Sequence, residues 1–293
     1  MTMHCERIAR VSDRPVFAAR VGILIPARNE AAHIEALLAA CRRVRPALVL
    51  VVDDASTDET PALLERLRRC FAAERPLQVI RSERNLGKQG AVRLGLRALA
   101  GRGLEAVALI DGDGQHDPAE LPGLAALLDR YDMVIGARRR DRMPLPRRLS
   151  NWLVNRGFAW LGGRDFADVQ SGLRLYRLWL VGVLADRLPP AGGYALEHES
   201  LTVLARYARD NDRPIRAVAA PVGCSYGPGT SSMRPHHMID LGLQTVRQAV
   251  RLRRALRPAA GPGSAGWALY YQPRESSRPA QILSNTARFF GWG

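Results

Sequence analysis

Two aspartates one residue apart, Asp111 and Asp113, close the apolar run of "VALIDGDGQHDP" (107–118). Hard divalent cations such as Mg2+ and Mn2+ take oxygen ligands, commonly one or two carboxylates together with substrate phosphates. In Asp-Gly-Asp both acids can face one point, because Gly112 puts no side chain in the way. Gln115 could add an amide oxygen as a further ligand. Spacing alone leaves a second reading open, a polar turn whose acids only cap the following helix. Lys88 is the sole lysine among 43 basic residues. A site needing a compact ammonium, where a flat guanidinium would not serve, explains its retention; chance is the plain alternative. Asp168 and Glu199 are candidates for a general base toward an acceptor hydroxyl, although Asp168 could instead cap the segment after it. His116 reads as a brace for the aspartate loop, and His198 lies on a helix face.

These residues need a frame. "RVGILIPARNE" (20–30) is a short strand closed by Pro26, and 31–44 has helical periodicity. Residues 47–71 repeat the plan with an apolar strand, an acidic turn and a helix. Strands at 77–82, 106–113 and 132–139 and helices at 87–100 and 118–130 continue it. Such alternation predicts βαβ units and an α/β fold with a mostly parallel sheet flanked by helices. Ligands in such sheets bind beyond the carboxyl ends of the strands, where Asp53, Asp54, Asp111 and Asp113 all fall. Later, 147–161 reads as an amphipathic helix, 171–177 as a strand, 195–210 as a helix and 215–226 as a strand.

"IPARNE", "VVDDASTDET", "RNLGKQGA" and "DGDGQHDP", in that order, resemble the family 2 glycosyltransferases of GT-A fold. The branch most similar is that of the dolichol-phosphate mannose synthases, and the resemblance runs through roughly 20–234. It implies that Pro26, Arg28 and Glu30 contact the nucleotide, although Arg28 stands where a tyrosine is common. It places Val52 and Asp54 at the base and ribose, and Asp111, Asp113 and Gln115 at a Mg2+ or Mn2+ and the diphosphate. Arg138 would approach the phosphates, with Lys88 as a second source of charge stabilisation, and Glu199 would stand near the acceptor. Asp113, Asp168 and Glu199 are thereby the expected catalytic carboxylates. The implied reaction is inverting transfer of a sugar from a nucleotide-sugar to a lipid-linked acceptor, a polyprenyl phosphate among them, or to another membrane-associated one. There is one departure. Ser225 and Met233 stand near places where the lipid-phosphate branch carries an Arg and a Lys, leaving Arg234 as the obvious cation.

Composition bounds the alternatives. A net charge of +15 calls for anionic company, whether phosphorylated substrate, acidic lipid or nucleic acid. The arginines are dispersed, without RNP-type or helix-turn-helix signals, so no nucleic-acid partner is expected. A G-x-G-x-x-G after the first strand, needed by a dinucleotide enzyme, is absent. A phosphatase built on D-x-D would place that strand earlier and want Thr or Val at position 115. The rival readings are a basic nucleic-acid-binding protein, motivated by the charge, and a catalytically degenerate sugar-nucleotide-binding module. The four scattered cysteines suggest a reduced, cytoplasmic protein, and no apolar run reaches the ~20 residues of a spanning helix.

The expected layout is an N-terminal extension (1–19), the catalytic domain (20–234), a basic amphipathic helix (235–256), a linker (257–266) and an aromatic tail (267–293). The helix at 236–256 and the tail offer a peripheral contact with the inner face of the cytoplasmic membrane. The competing expectation is that both pack on the domain or on a second subunit.

Overall fold

The structure, a computed structural model, describes residues 20–71, 76–139, 168–190, 196–225 and 268–271, with short helical pieces at 152, 155–156, 246–247 and 250–254. The helix expected at 147–161 lies almost wholly outside the described residues, as do the extension, the linker and most of 236–256.

The first strand, β1 (Val21–Ala27), and β2 (Leu48–Asp53) are buried at every position, as expected of strands covered on both faces. Between them runs α1 (Ile34–Arg43), and α2 (Thr60–Arg68) leads to β3 (Leu77–Arg81). The chain then returns through α3 (Gly87–Leu99) to β4 (Ala106–Leu109), which pairs with the opposite side of β1. After a short α4 (Leu121–Ala125) come β5 (Met133–Arg138), β6 (Arg174–Arg177), α5 (Leu178–Arg187), α6 (Leu196–Asp210) and β7 (Arg216–Val222).

The eight strands lie in the order β3-β2-β1-β4-β6-β5-β7-β8, where β8 is Ala268–Tyr271. All neighbours are parallel except β6, which is antiparallel to both β4 and β5. Four residues of the C-terminal aromatic stretch therefore form an edge strand of the sheet, with Cα pairs from Arg216–Ala268 to Ala219–Tyr271.

One core layer packs α3, α5 and α6 on one face of the sheet, and α1 and the α4 region fill the other. At Gly95 a Cβ would overlap Leu24, so the glycine lets α3 lie close on the strands.

The chain moves from β1 toward β3 and then restarts at β4 on the other side of β1, so the carboxyl ends of β1 and β4 meet at a topological switch point, where crevices of open α/β sheets lie.

Candidate active site

The crevice is a cavity of about 530 Å3, within the roughly 300–1,000 Å3 usual for small-molecule sites. Its wall carries Pro26, Arg28 and Glu30 from the end of β1, and Asp54 from the end of β2. Lys88 comes from the first turn of α3, and Asp111 and Asp113 from the turn after β4. Seven of the expected site residues thus meet at one place. Strand four stops at Leu109, four residues short of expectation, so both aspartates sit on the turn and not on the strand.

The loops are built to hold these groups. Asn29 adopts a left-handed conformation (φ 56°). Its N–H donates to Ser56 Oγ at 3.0 Å, its side-chain oxygen accepts Thr57 N–H at 2.8 Å, and Glu30 N–H donates to Thr60 Oγ1 at 2.9 Å. These bonds staple the β1 loop to the β2 loop and aim Glu30 into the crevice. Asp54 accepts from Leu86 N–H at 2.6 Å and Ser82 Oγ at 3.2 Å, fixing the loop before Lys88. At Gly112 a Cβ would stand 3.1 Å from Pro26 O and 3.2 Å from Glu30 Cγ, so glycine lets the aspartate turn close on β1. Gly114 (φ 70°) takes the left-handed position that completes that turn. At Gly172 a Cβ would overlap the Asp111 carboxylate; the glycine makes room for that side chain.

The electrostatics are those of an anionic hole in which Lys88 pairs with two acids. Burial, then Asp113 and Asp111, push the Glu30 carboxyl up to about 7. Burial and Asp111 also raise Asp113, whose Oδ1 accepts Gln115 N–H at 3.0 Å. For Asp111 burial would do the same, but the Lys88 ammonium holds it below the usual carboxylate range. Lys88 Nζ lies 2.7 Å from Asp111 Oδ1 and 2.7 Å from Glu197 Oε1, and against the cost of its burial these two acids hold its pKa up. Among the described residues no ready-made cluster of three His, Cys, Asp or Glu ligands exists. The donor chemistry nevertheless fits a hard divalent cation. Four carboxylates, Glu30, Asp54, Asp111 and Asp113, line one cavity, and burial and neighbouring acids raise the pKa values of two of them, Glu30 and Asp113.

Other expected residues are placed differently. Val52 is fully buried in the core layer facing α3, so its side chain offers a nucleotide nothing. The Gln115 side-chain oxygen lies 3.9 Å from Cys224 Sγ, and its carbonyl accepts Ser225 N–H at 2.8 Å. Gln115 thus ties the aspartate loop to the end of β7 and is off the cavity wall. Arg138 makes a bidentate pair with Asp168, Nε to Oδ2 at 2.8 Å and Nη2 to Oδ1 at 2.9 Å, and its N–H adds a third bond at 3.1 Å. A buried carboxylate so occupied is a poor base; Asp168 positions Arg138. Glu199 Oε2 lies 3.7 Å from Arg251 Nη1 and is not on the cavity wall. His116 and His198 are buried, and burial pushes each down to about 4, so both are neutral braces.

Two residues escaped sequence reasoning. Glu197, which the sequence reading did not single out, meets Lys88 at 2.7 Å, while Glu199, expected near the acceptor, points elsewhere. Residues two apart on a helix point about 200° apart, so only one acid of "EHE" can face the crevice. Arg174, wholly buried, donates to Val169 O, Ser171 O, Glu197 O and Ser200 Oγ at 2.8–3.0 Å. It binds the loop before β6 to the first turn of α6. An arginine inside the apolar run "SGLRLYR" was the available signal.

The family profile described as glycosyl transferase family 2 matches residues 22–170, just over half of the chain. The chain belongs to glycosyltransferase family 2. Among relatives of this glycosyltransferase, the undecaprenyl-phosphate mannosyltransferase of Micrococcus luteus is 34% identical over 168 residues, 54% of this chain and 66% of the relative. The dodecaprenyl-phosphate galacturonate synthase of Rhizobium johnstonii is 29% identical over 185 residues, 59% of this chain and 52% of the relative. The match thus spans about half to two thirds of these relatives' length. Among solved structures, glucosyl-3-phosphoglycerate synthase from Mycobacterium tuberculosis, in complex with Mn2+, UDP-glucose and phosphoglyceric acid, superposes with a TM-score of 0.57 at 22% identity. That likeness covers 83% of this chain and 82% of the other, and shows that the glycosyltransferase has the GT-A fold.

Proposed function

We propose that this glycosyltransferase moves a sugar from a nucleotide-sugar, with inversion and with Mg2+ or Mn2+, to a lipid-linked acceptor, a polyprenyl phosphate being the first to test. The observation that carries this reading is the convergence of Glu30, Asp54, Lys88, Asp111 and Asp113 on one crevice at the switch point of the sheet. Family membership and the acceptors in the names of two relatives support it.

Asp111 and Asp113 would hold the metal, with Glu30 on the same wall. When bound, the cation supplies Lewis-acid charge to the diphosphate as the glycosyl bond breaks. Asp54 faces the cavity from the β2 side, suited to ribose hydroxyls. Lys88 and Arg28, on the same wall, supply cationic donors for phosphate oxygens. A phosphate acceptor arrives already ionised and needs no base, which agrees with the engagement of Asp168 by Arg138. Attack opposite the diphosphate inverts the anomeric carbon. Among the described residues no helix is long and apolar enough to cross a membrane. We place the enzyme on the cytoplasmic side, meeting a lipid acceptor from the membrane surface.

Thermal shift with a panel of UDP- and GDP-sugars, with and without Mn2+, identifies the donor, because a ligand that binds only the native state raises Tm. Labelled-sugar transfer from that donor to a polyprenyl phosphate in detergent then tests the acceptor. A metal-dependent shift followed by lipid labelling is expected. No shift with any donor in the presence of metal would overturn the reading.

A further inference from the structure

We propose that Lys88 is a resident counter-ion for Asp111 which an incoming divalent cation must displace, and that Glu197 is the positioning residue that receives the displaced ammonium. The proposal rests on the assignment of Asp111 and Asp113 as metal ligands. Lys88 Nζ stands 2.7 Å from Asp111 Oδ1 and 3.0 Å from Oδ2, so it occupies the carboxylate edge that a metal would need. A dication and an ammonium within ~4 Å of each other repel strongly even at an effective dielectric constant near 20. They cannot share Asp111 without cost.

The ammonium has somewhere to go. Glu197 Oε1 is already 2.7 Å from Nζ, and the lysine stem is long and flexible. Glu197 does not owe its place to Lys88. Its carbonyl accepts from Arg174 Nη1 at 2.8 Å, and the same nitrogen donates to Ser200 Oγ at 2.9 Å. The buried guanidinium therefore pins the first turn of α6 from the protein side. With its side chain 34% exposed and lining the cavity, Lys88 can swing from Asp111 toward Glu197 and stay on the wall. Metal uptake at the turn after β4 is thereby linked to α6, which carries Glu197. A guanidinium would not substitute cleanly, because its planar fork suits one bidentate partner better than two acids from different elements.

Titration of Mn2+ alone into the full chain, with free Mn2+ read by electron paramagnetic resonance, tests this without any reaction. Lys88→Gln is expected to tighten Mn2+ binding about tenfold, because a competing cation is removed. Glu197→Gln is expected to weaken it by roughly three- to tenfold, and to change it by less than about twofold in the Lys88→Gln background, the signature of action through Lys88. Glu197→Asp, which keeps a carboxylate there, should recover much of the wild-type affinity. Without metal, Lys88→Gln should melt lower than wild type and regain the difference in Mn2+. If that variant does not fold, the Glu197→Gln and Glu197→Asp pair carries the test. Unchanged or weaker Mn2+ binding in Lys88→Gln overturns the proposal, as does an equal effect of Glu197→Gln in both backgrounds or with Glu197→Asp. A wild-type chain that binds no Mn2+ would overturn the metal assignment itself, a result distinct from any of these.

Discussion

Without a cation, Asp113 and Glu30 sit in an environment that penalises their charge, since burial and neighbouring carboxylates raise both pKa values. Asp113→Asn should therefore raise the Tm of the metal-free protein while abolishing the Mn2+-dependent shift with donor. It should also lower kcat/KM by roughly a hundredfold or more. Opposite signs in one variant separate a ligand from a capping residue. Glu30 makes a second prediction. Its folded pKa is raised from 4.5 to about 7, so its contribution to stability is present below pH 4.5 and is lost as pH rises through 7. His116 and His198, buried neutral with pKa values near 4, act the other way, withdrawing stability as pH falls from 6.5 toward 4. The clean observable is the difference: metal-free wild type should lose Tm relative to Glu30→Gln between pH 4.5 and 7, and Mn2+ should shrink that gap. Asp111 and Asp113 were legible in the sequence from residue type and their place just after an apolar strand, and Lys88 from being the lone lysine, in a glycine-rich turn. Glu197 was not, since the choice between two acids of "EHE" depends on how α6 is rotated. The Val52 side chain lies in the core and off the cavity wall, because a strand residue beside a site can still point inward.

Among the elements, two glycines should fail in different ways. Gly95→Ala puts a methyl against Leu24 where α3 crosses the sheet, and should cost about 1–3 kcal/mol of stability with Mn2+ affinity unchanged. Gly172→Ala puts one against the Asp111 carboxylate, and should weaken Mn2+ binding at least tenfold by turning a first ligand aside. Chemical denaturation and Mn2+ titration of both variants distinguish them. The first five strands were readable because each is an apolar run closed by a turn. The segment 118–130 was expected as one helix and is instead a short α4 between 3-10 turns. Pro122 and Gly123 within it withhold a hydrogen-bond donor and favour other conformations. The helix α5 passed unread because "LWLVGVLA" has little polar face to mark a helical period.

Across the whole molecule, the basic C-terminal helical segment is partly structural. Leu252 is fully buried in the core layer, Arg251 reaches Glu199, and Arg209 on α6 donates to Arg254 O at 3.3 Å. Leu252→Ala should accordingly cost about 2–5 kcal/mol in denaturant unfolding, as for other core truncations. A loss below 0.5 kcal/mol, the range of surface substitutions, would show the segment to be a loose appendage. The sequence pattern could not decide this, because arginines crowding an amphipathic helix suit a membrane surface and a protein surface equally. Exposed Arg251, Arg253 and Arg254 leave the membrane-facing role open to vesicle binding experiments. The most direct test of the central claim is anomalous diffraction from crystals grown with Mn2+ and a nucleoside diphosphate. A single manganese peak bridging Asp111, Asp113 and the diphosphate oxygens, with Lys88 turned onto Glu197, is the predicted result. Diphosphate bound in the crevice with no manganese between it and those aspartates would contradict the account.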